Sequence, residues 1–214
     1  MAFKAGEAAR FSPPLQVSAG KEAYEPVIAA VAGGGFVVAW EQDGRVWMRR
    51  AAPARLGPAQ RLDSRPSSQA TLAAAADGSR LYAAWVHRDG RARHVVVSRI
   101  RTDGGRLQPA PPRSADSEAP QYDQLYPAVA VAPSGLVAAA WDDPRDGTPD
   151  VWLSWRNAGG WSDDLAVPGA SGPRAQRSPV LVFDPAGPLH IAWVARAGDG
   201  RTRIFYSVGR LDGE

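Results

Sequence analysis

A strand–turn–strand pattern that ends in Ala-Trp occurs four times along this 214-residue chain, and it constrains the fold more than any other feature. The four copies occupy residues 26–40, 70–85, 127–141 and 179–193. Each copy has an apolar stretch, a turn that contains glycine and a second apolar stretch, which predicts a β-hairpin. Hairpins that recur at intervals of roughly 50 residues indicate a repeat architecture in which each unit packs on its neighbours.

The second strand of each hairpin carries large residues on one side and alanine on the other. Because side chains alternate along a strand, Phe36, Val38 and Trp40 share one face, and Ala39 lies on the opposite face. The later copies repeat this arrangement with Trp85, Trp141 and Trp193 against Ala84, Ala140 and Ala192. Such strands suit a tight stack of sheets, so we expect both faces of each hairpin to be covered.

A third strand follows each tryptophan, and a weaker fourth strand follows the first three copies. The last copy stops without a fourth strand, whereas residues 9–18 have the character of the missing one. The sequence therefore predicts an all-β fold, a β-propeller with four four-stranded blades, closed by the N-terminal strand that completes the last blade. A single domain covers residues 1–214, with repeats at 26–69, 70–126, 127–178 and 179–214 plus 1–25. No stretch has a sustained helical period, so essentially no helix is expected.

Composition narrows the classes of partner. The net charge is +3, and the arginines are dispersed among acidic residues, so no basic stripe for nucleic acid is present. No apolar run approaches the roughly 18 residues of a membrane span. The chain has no cysteine, which excludes disulfides and thiolate metal sites, and no cofactor is predicted. The compartment stays unknown; a periplasmic or extracellular location is favoured if a leader was removed.

The order of apolar strand, glycine turn, Val-Ala-Trp, Asp-rich turn and the stretch 150–155 (Asp-Val-Trp-Leu-Ser-Trp) resembles the bacterial neuraminidase repeat family of sialidase-like propellers. The family's Ser-x-Asp-x-Gly-x-Thr-Trp box is echoed at residues 154–161, where Arg156 stands in place of the box aspartate. The resemblance implies six blades, an arginine triad, a Tyr–Glu nucleophile pair and an aspartate acid/base. This chain has four repeats and lacks the Arg-Ile-Pro motif, so that catalytic set does not transfer and no sialidase turnover is expected.

The candidate ligand-binding residues lie on the loops that a propeller gathers on one face. The positions just before the four first strands are polar and equivalent: Glu25, Gln69, Tyr126 and Ser178. They form either a ring of ligand-binding groups at the mouth of the axis or a set of solvated strand starts. Arg65 and Arg177, on neighbouring loops, suit either an anionic sugar or surface pairing with aspartate. Trp155 is a candidate for stacking on a sugar ring.

Four aspartates crowd one turn, at positions 142, 143, 146 and 150. Calcium needs six to eight oxygens in a defined array, and this spacing matches no such loop. The corresponding turns of the other repeats carry Asp-Gly or arginine, as hairpin turns do. We therefore expect a turn and no metal site.

Three functions fit these features. The first is a non-catalytic propeller module that binds a glycan or protein ligand on its loop face. The second is a divergent sialidase-like exo-glycosidase, and the third is a structural half of a larger propeller. The alanine-rich first strands permit a narrow axis, so a monomer is favoured over a dimer.

Overall fold

The computed structural model describes residues 13–20, 22–53, 55–90, 92–103, 106–117, 122–157 and 160–211. These residues form strands and turns without a helix, which confirms the all-β prediction. No helix that could cross a membrane exists among them.

Within this part of the chain the strands form four antiparallel sheets, in chain order. Sheet 1 contains β1 (Tyr24–Ala30), β2 (Phe36–Gln42), β3 (Arg45–Ala52), β4 (Arg55–Leu56) and β5 (Gln60–Arg61). Sheet 2 contains β6 (Ser67–Ala74), β7 (Leu81–Asp89), β8 (Ala92–Asp103), β9 (Arg106–Pro109) and β10 (Arg113–Ser114). Sheet 3 contains β11 (Leu125–Val131), β12 (Val137–Asp143), β13 (Asp150–Asn157), β14 (Gly160–Trp161) and β15 (Leu165–Ala166). Sheet 4 contains β16 (Gln176–Phe183), β17 (Leu189–Arg196) and β18 (Thr202–Gly209).

Each sheet begins with the predicted hairpin and its third strand. In sheets 1 to 3 the predicted fourth strand is divided into two short segments, both paired with the third strand. Sheet 4 has three strands among the residues that the structure describes. The predicted blade of four equal strands is therefore only approximated.

Hydrophobic cores fill the spaces between consecutive sheets. Trp85 packs with Ala39 and Met48 between sheets 1 and 2. Trp141 packs against the side of sheet 2 that carries Ala84, and Trp193 against the side of sheet 3 that carries Ala140. We call these two sides of a sheet its Trp face and its Ala face. The Trp faces of sheets 2, 3 and 4 each meet the Ala face of the preceding sheet, so the predicted covering of both faces is found for sheets 2 and 3.

The indole N–H groups of the four repeat tryptophans each have an acceptor, as the low polarity of these cores requires. The acceptors are Gln42 Oε1 for Trp40 (3.2 Å), Asp63 Oδ2 for Trp85 (3.2 Å), Asp143 Oδ2 for Trp141 (3.0 Å) and Gln176 Oε1 for Trp193 (3.1 Å). Because each ring is fixed at both its apolar body and its N–H, the end of each second strand is held in a defined position.

The predicted closing strand is not seen in residues 13–20, and residues 1–12 lie outside the described part of the chain. Residues 13–20 form no strand and lie on the Trp face of sheet 1. The carbonyl of Val17 accepts a hydrogen bond from Arg49 Nη1 (2.8 Å), and that of Ala19 accepts one from Gln42 Nε2 (2.5 Å). Pro13 and Pro14 have no N–H to donate to a ladder, which disfavours pairing with β18 there.

Within the residues that the structure describes, the sheets are not closed into a ring. First strands of consecutive sheets contact one another, from β1 through β6 and β11 to β16. No comparable contact joins β16 to β1. Sheet 1 therefore lacks a sheet on its Trp face, and sheet 4 lacks one on its Ala face.

Candidate functional site

Left-handed residues mark the start of all four first strands. Glu25, Gln69, Tyr126 and Ser178 have φ values of 49°, 52°, 52° and 54°. The strand register shifts at each of these positions, as in a β-bulge. A non-glycine side chain in this region costs about 1–2 kcal/mol, so such residues persist where the surroundings hold them and cluster at functional sites. The four are the residues that the sequence aligned as one ring.

Side chains from neighbouring strands hold the bulges by accepting their backbone N–H groups. The N–H of Gln69 donates to the Glu41 carboxylate, and the N–H of Ser178 donates to Asp142 Oδ2 (3.0 Å). Glu41 and Asp142 both directly follow the tryptophan of their sheet. In sheet 2 that position is a valine, and the side chain of Gln69 accepts the N–H of Tyr126 instead (2.8 Å).

These contacts connect the four sheets at one end of the molecule. We call these five residues, together with the equivalent bulge residue of sheet 1, the mouth: Glu25, Glu41, Gln69, Tyr126, Asp142 and Ser178. Glu25 and Tyr126 are exposed, Asp142 is buried, and the other three are half-buried. The mouth therefore combines accessible polar groups with a carboxyl that water hardly reaches.

Two carboxyl groups of the mouth have raised pKa values. Burial raises the pKa of Asp142 to about 6, against the opposing effects of the Ser178 N–H and the Arg177 guanidinium. Burial also raises the pKa of Glu41, and the Gln69 N–H opposes that rise. A hydrogen bond and the like charge from Glu25 raise the pKa of Glu41 further. Carboxyls that keep a proton near neutral pH are the usual proton donors of catalytic sites.

Sequence reasoning missed Glu41 and Asp142 as site residues. The sequence pattern places Asp142 in the aspartate turn and assigns no role to Glu41. The available signal was positional: the residue after each repeat tryptophan is Glu41, Val86, Asp142 or Val194, a carboxylate in alternate repeats.

The other predicted site residues are distributed differently. Arg177 lies close enough to Asp142 for its positive charge to lower the pKa of that carboxyl. The structure therefore brings Arg177 to the mouth. The guanidinium of Arg65 instead contacts His87 Nε2 (3.2 Å) and Asp89 (3.6 Å). Trp155 pairs with position 138 of β12 and is half-buried against the core between sheets 3 and 4. That places it four residues along the strand from Asp142, roughly 13 Å away.

The aspartate turn is organised by arginine. Arg145 donates to both oxygens of Asp143, with a shortest distance of 2.6 Å, and to Asp164 (2.6 Å). Its guanidinium also lies 3.7 Å from Asp116 and 4.0 Å from the centre of the Trp152 ring. Among the described residues, no group of three acidic or histidine side chains is arranged to hold a metal ion.

A polar depression of about 300 Å³ adjoins the mouth on the side of sheets 1 and 2. It is lined by Glu41, by the serines at 67 and 68, and by Arg88 and Arg93. Hydroxyl, carboxylate and guanidinium groups in one shallow recess suit the many hydroxyls of a carbohydrate.

Comparisons with solved structures show the fold. An α-L-arabinanase from Penicillium chrysogenum, complexed with arabinobiose, superposes with a TM-score of 0.61 at 13% identity, over 89% of this chain and 64% of that one. The α-L-arabinofuranosidase PaAbf62A from Podospora anserina gives 0.54 at 12% identity, over 90% and 65%. A Hadza microbial sialidase gives 0.51 at 16% identity, over 84% and 46%. The chain therefore has the β-propeller type of fold found in glycosidases and spans less than two thirds of each of these proteins.

No protein-family model and no curated protein matches the sequence. The resemblance to sialidase-like proteins is thus supported at the level of fold, and the neuraminidase repeat itself stays a prediction.

Proposed function

We propose that the mouth binds the end of a glycan chain and that the protein is a glycoside hydrolase. One observation carries the proposal: two carboxyls with raised pKa values, Asp142 and Glu41, lie in the mouth, where each holds a strained bulge residue of the next sheet. Hydrolysis of a glycosidic bond requires a carboxylic acid that protonates the leaving oxygen. It also requires a second carboxylate that activates water or attacks the sugar.

Asp142 is the proton donor in this proposal. Its pKa of about 6 keeps a large fraction protonated in weakly acidic solution, whereas an ordinary aspartate has lost its proton there. The hydrogen bond from the Ser178 N–H fixes the carboxyl through Oδ2. Arg177 stabilises the carboxylate that remains after the proton is transferred.

Glu25 and Glu41 supply the second carboxylate. A hydrogen bond joins the two groups, and this contact contributes to the raised pKa of Glu41. The exposed member, Glu25, is open to water and substrate at the rim. Tyr126 and Gln69, at the equivalent positions of the next two sheets, provide hydrogen bonds and a ring face to the sugar.

A binding module without catalysis is the second candidate, and a specific contact favours it. Both Glu41 and Asp142 accept the backbone N–H of a bulge in the next sheet, a role that holds the ring together and needs no reaction. The mouth would then recognise a glycan through Gln69, Tyr126 and Ser178. A monomer carrying one such site remains part of this second proposal.

Turnover separates the two candidates. Chromogenic α-L-arabinofuranosides, arabino-oligosaccharides and a sialic-acid fluorophore are incubated with the protein between pH 4 and 8. We expect hydrolysis of an arabinose-type substrate, and a decrease in kcat of about 10²–10⁴-fold in Asp142→Asn. Asparagine keeps an oxygen for the Ser178 N–H, so the variant retains the local fold. Asp77→Asn, which changes an exposed carboxyl in the turn between β6 and β7, at the opposite end of these strands from the mouth, should keep the wild-type rate.

The remaining outcomes are equally informative. Calorimetric binding of an oligosaccharide without turnover, lost in Gln69→Ala, would support the binding module. If the protein neither hydrolyses nor binds any of these ligands, both candidates are refuted. Rapid release of the sialic-acid fluorophore, abolished by Tyr126→Phe or Glu25→Gln, would contradict the expectation that the sialidase set is missing.

A further inference from the structure

Two sheet faces lack the neighbour that equivalent faces have elsewhere in the described chain. They are the Trp face of sheet 1 and the Ala face of sheet 4, at opposite ends of the series of sheets. Three internal contacts between sheets show what such faces do: each Trp face packs on an Ala face. The two free faces are therefore of complementary kinds.

The Ala face of sheet 4 carries large apolar side chains in solvent. Ile204 and Tyr206 on β18 are 72% and 61% exposed. The pairing registers make Ile204 equivalent to Val46, Val95 and Val151, which are all 0% exposed. Val180 and Val182 on β16 lie on the same face and are each 61% exposed. Sheet 4 thus keeps the composition of a buried face although nothing in the described chain covers it.

The Trp face of sheet 1 shows the same mismatch. Phe36 is 43% exposed, whereas its equivalents Leu81, Val137 and Leu189 are 1%, 2% and 3% exposed. Residues 15–17 cover only the part of this face around Trp40, and they leave Ile28 64% exposed. Their position resembles that of Leu62, just after β5, which packs in the core beside Trp85. The N-terminal segment therefore lies where the outer strand of a preceding sheet would lie.

We propose that these two faces bind each other between copies of this chain, so that the Ala face of sheet 4 in one copy covers the Trp face of sheet 1 in the next. The contact would repeat the internal packing of sheet on sheet, with Ile204 and Tyr206 in the places of Val46 and Met48. It would also bring the free edge of β18 to residues 13–17 of the neighbour. The expectation of a monomer depended on a ring closed by one chain, and the described residues do not close it.

A head-to-tail contact of this kind is heterologous, because each copy uses two different surfaces. Two copies form a closed ring if the rotation between them permits it, and longer assemblies form otherwise. This property gives the proposal a specific signature in mixing experiments.

Light scattering of the full chain tests the proposal. We expect the mass to rise with concentration from 22.7 kDa to about 45 kDa or more, as subunits associate. Ile204→Asp and Ile28→Asp should each be monomeric, because each has lost one of the two faces. An equimolar mixture should recover a species of twice the monomer mass, since one intact face of each kind remains. Leu165→Asp, an exposed apolar residue on β15 outside both faces, is the matched control and should assemble like the wild type.

Two results would overturn the proposal. One is a wild-type mass of 22.7 kDa at every concentration up to about 100 µM, a range that covers specific assemblies of moderate affinity. The other is an equimolar mixture of the two variants that stays monomeric. If one chain closes on itself, the wild type is monomeric and Ile204→Asp melts at a lower temperature, whereas Leu165→Asp does not.

Discussion

Removal of the guanidinium at position 145 should destabilise this protein more than the loss of any exposed ion pair. Arg145→Met keeps the length of the side chain and much of its contact with Trp152 but leaves three carboxylates without their cation. The side chains of Asp143, Asp164 and Asp116 are only 2%, 4% and 1% exposed, so water cannot replace the lost partner. Breaking a buried pair by removing one member costs about 3–5 kcal/mol.

For a chain of this length, each kcal/mol lost from the free energy of unfolding lowers the melting temperature by about 2–4 °C. The variant should therefore melt about 10 °C below the wild type. The matched control is Arg203→Met, which breaks a pair with Asp199 whose side chains are 50% and 45% exposed. That change should leave the melting temperature nearly unchanged, because water and salt screen an exposed ion pair. Thermal unfolding followed by circular dichroism at pH 7 measures both variants.

Acidification provides a second measurement on the same variant. Neutral carboxyl groups cost much less to bury than carboxylates, so the gap between Arg145→Met and the wild type should narrow as pH falls. A variant that melts within 2 °C of the wild type, as the control does, would show that the arginine network contributes little and would refute the reasoning.

Two further predictions concern the mouth and the turns. Because burial raises the pKa of Asp142 to about 6, the folded chain binds more protons than the unfolded chain between about pH 4 and 6. The free energy of unfolding should therefore fall as pH rises through this window, by at most about 3 kcal/mol, and Asp142→Asn should flatten the slope in urea titrations. Gly78 has φ +68°, and an added Cβ would meet the backbone of residues 31 and 32 at 2.8 and 2.4 Å. Gly78→Ala should cost more than 2 kcal/mol, whereas Gly90→Ala, at φ +61° with open space, should cost about 1 kcal/mol; equal costs in chemical denaturation would contradict the steric argument.

The packing of the sheets could be predicted from the sequence, because it depends on the two-residue alternation of side chains along each strand. Trp40 and Ala39 occupy opposite faces wherever the strand is placed, so their alternation predicted the cores between sheets. The set of Glu25, Gln69, Tyr126 and Ser178 could be predicted for a related reason, because each residue directly precedes the predicted first strand of its repeat, 15 or 16 positions before the repeat tryptophan.

The role of the aspartates was not accessible in the same way. Asp142 and Asp143 are adjacent in sequence, but β12 continues through both, so their side chains point to opposite faces. Asp143 therefore accepts from Trp141 on one face, while Asp142 reaches Ser178 of the next sheet on the other. Because the sequence pattern assigns residues 142–150 to a single turn, it does not separate the two faces on which Asp142 and Asp143 lie.

The course of the N-terminal segment depended on side chains that no repeat pattern includes. Arg49 donates a hydrogen bond to the carbonyl of Val17, and Gln42 donates one to the carbonyl of Ala19; these contacts are particular to sheet 1. An argument from the missing fourth strand of the last repeat could not anticipate them.

The four left-handed bulges have a consequence for engineering. Glycine or asparagine suits that backbone better than Glu, Gln, Tyr or Ser, so a search for thermostable variants would tend to select them there. Each substitution would remove one side chain from the rim, and a variant changed at all four positions would be more stable but would have lost the groups proposed to bind a glycan. Stability screens alone would therefore select against the proposed binding residues, and such screens should hold these four positions constant.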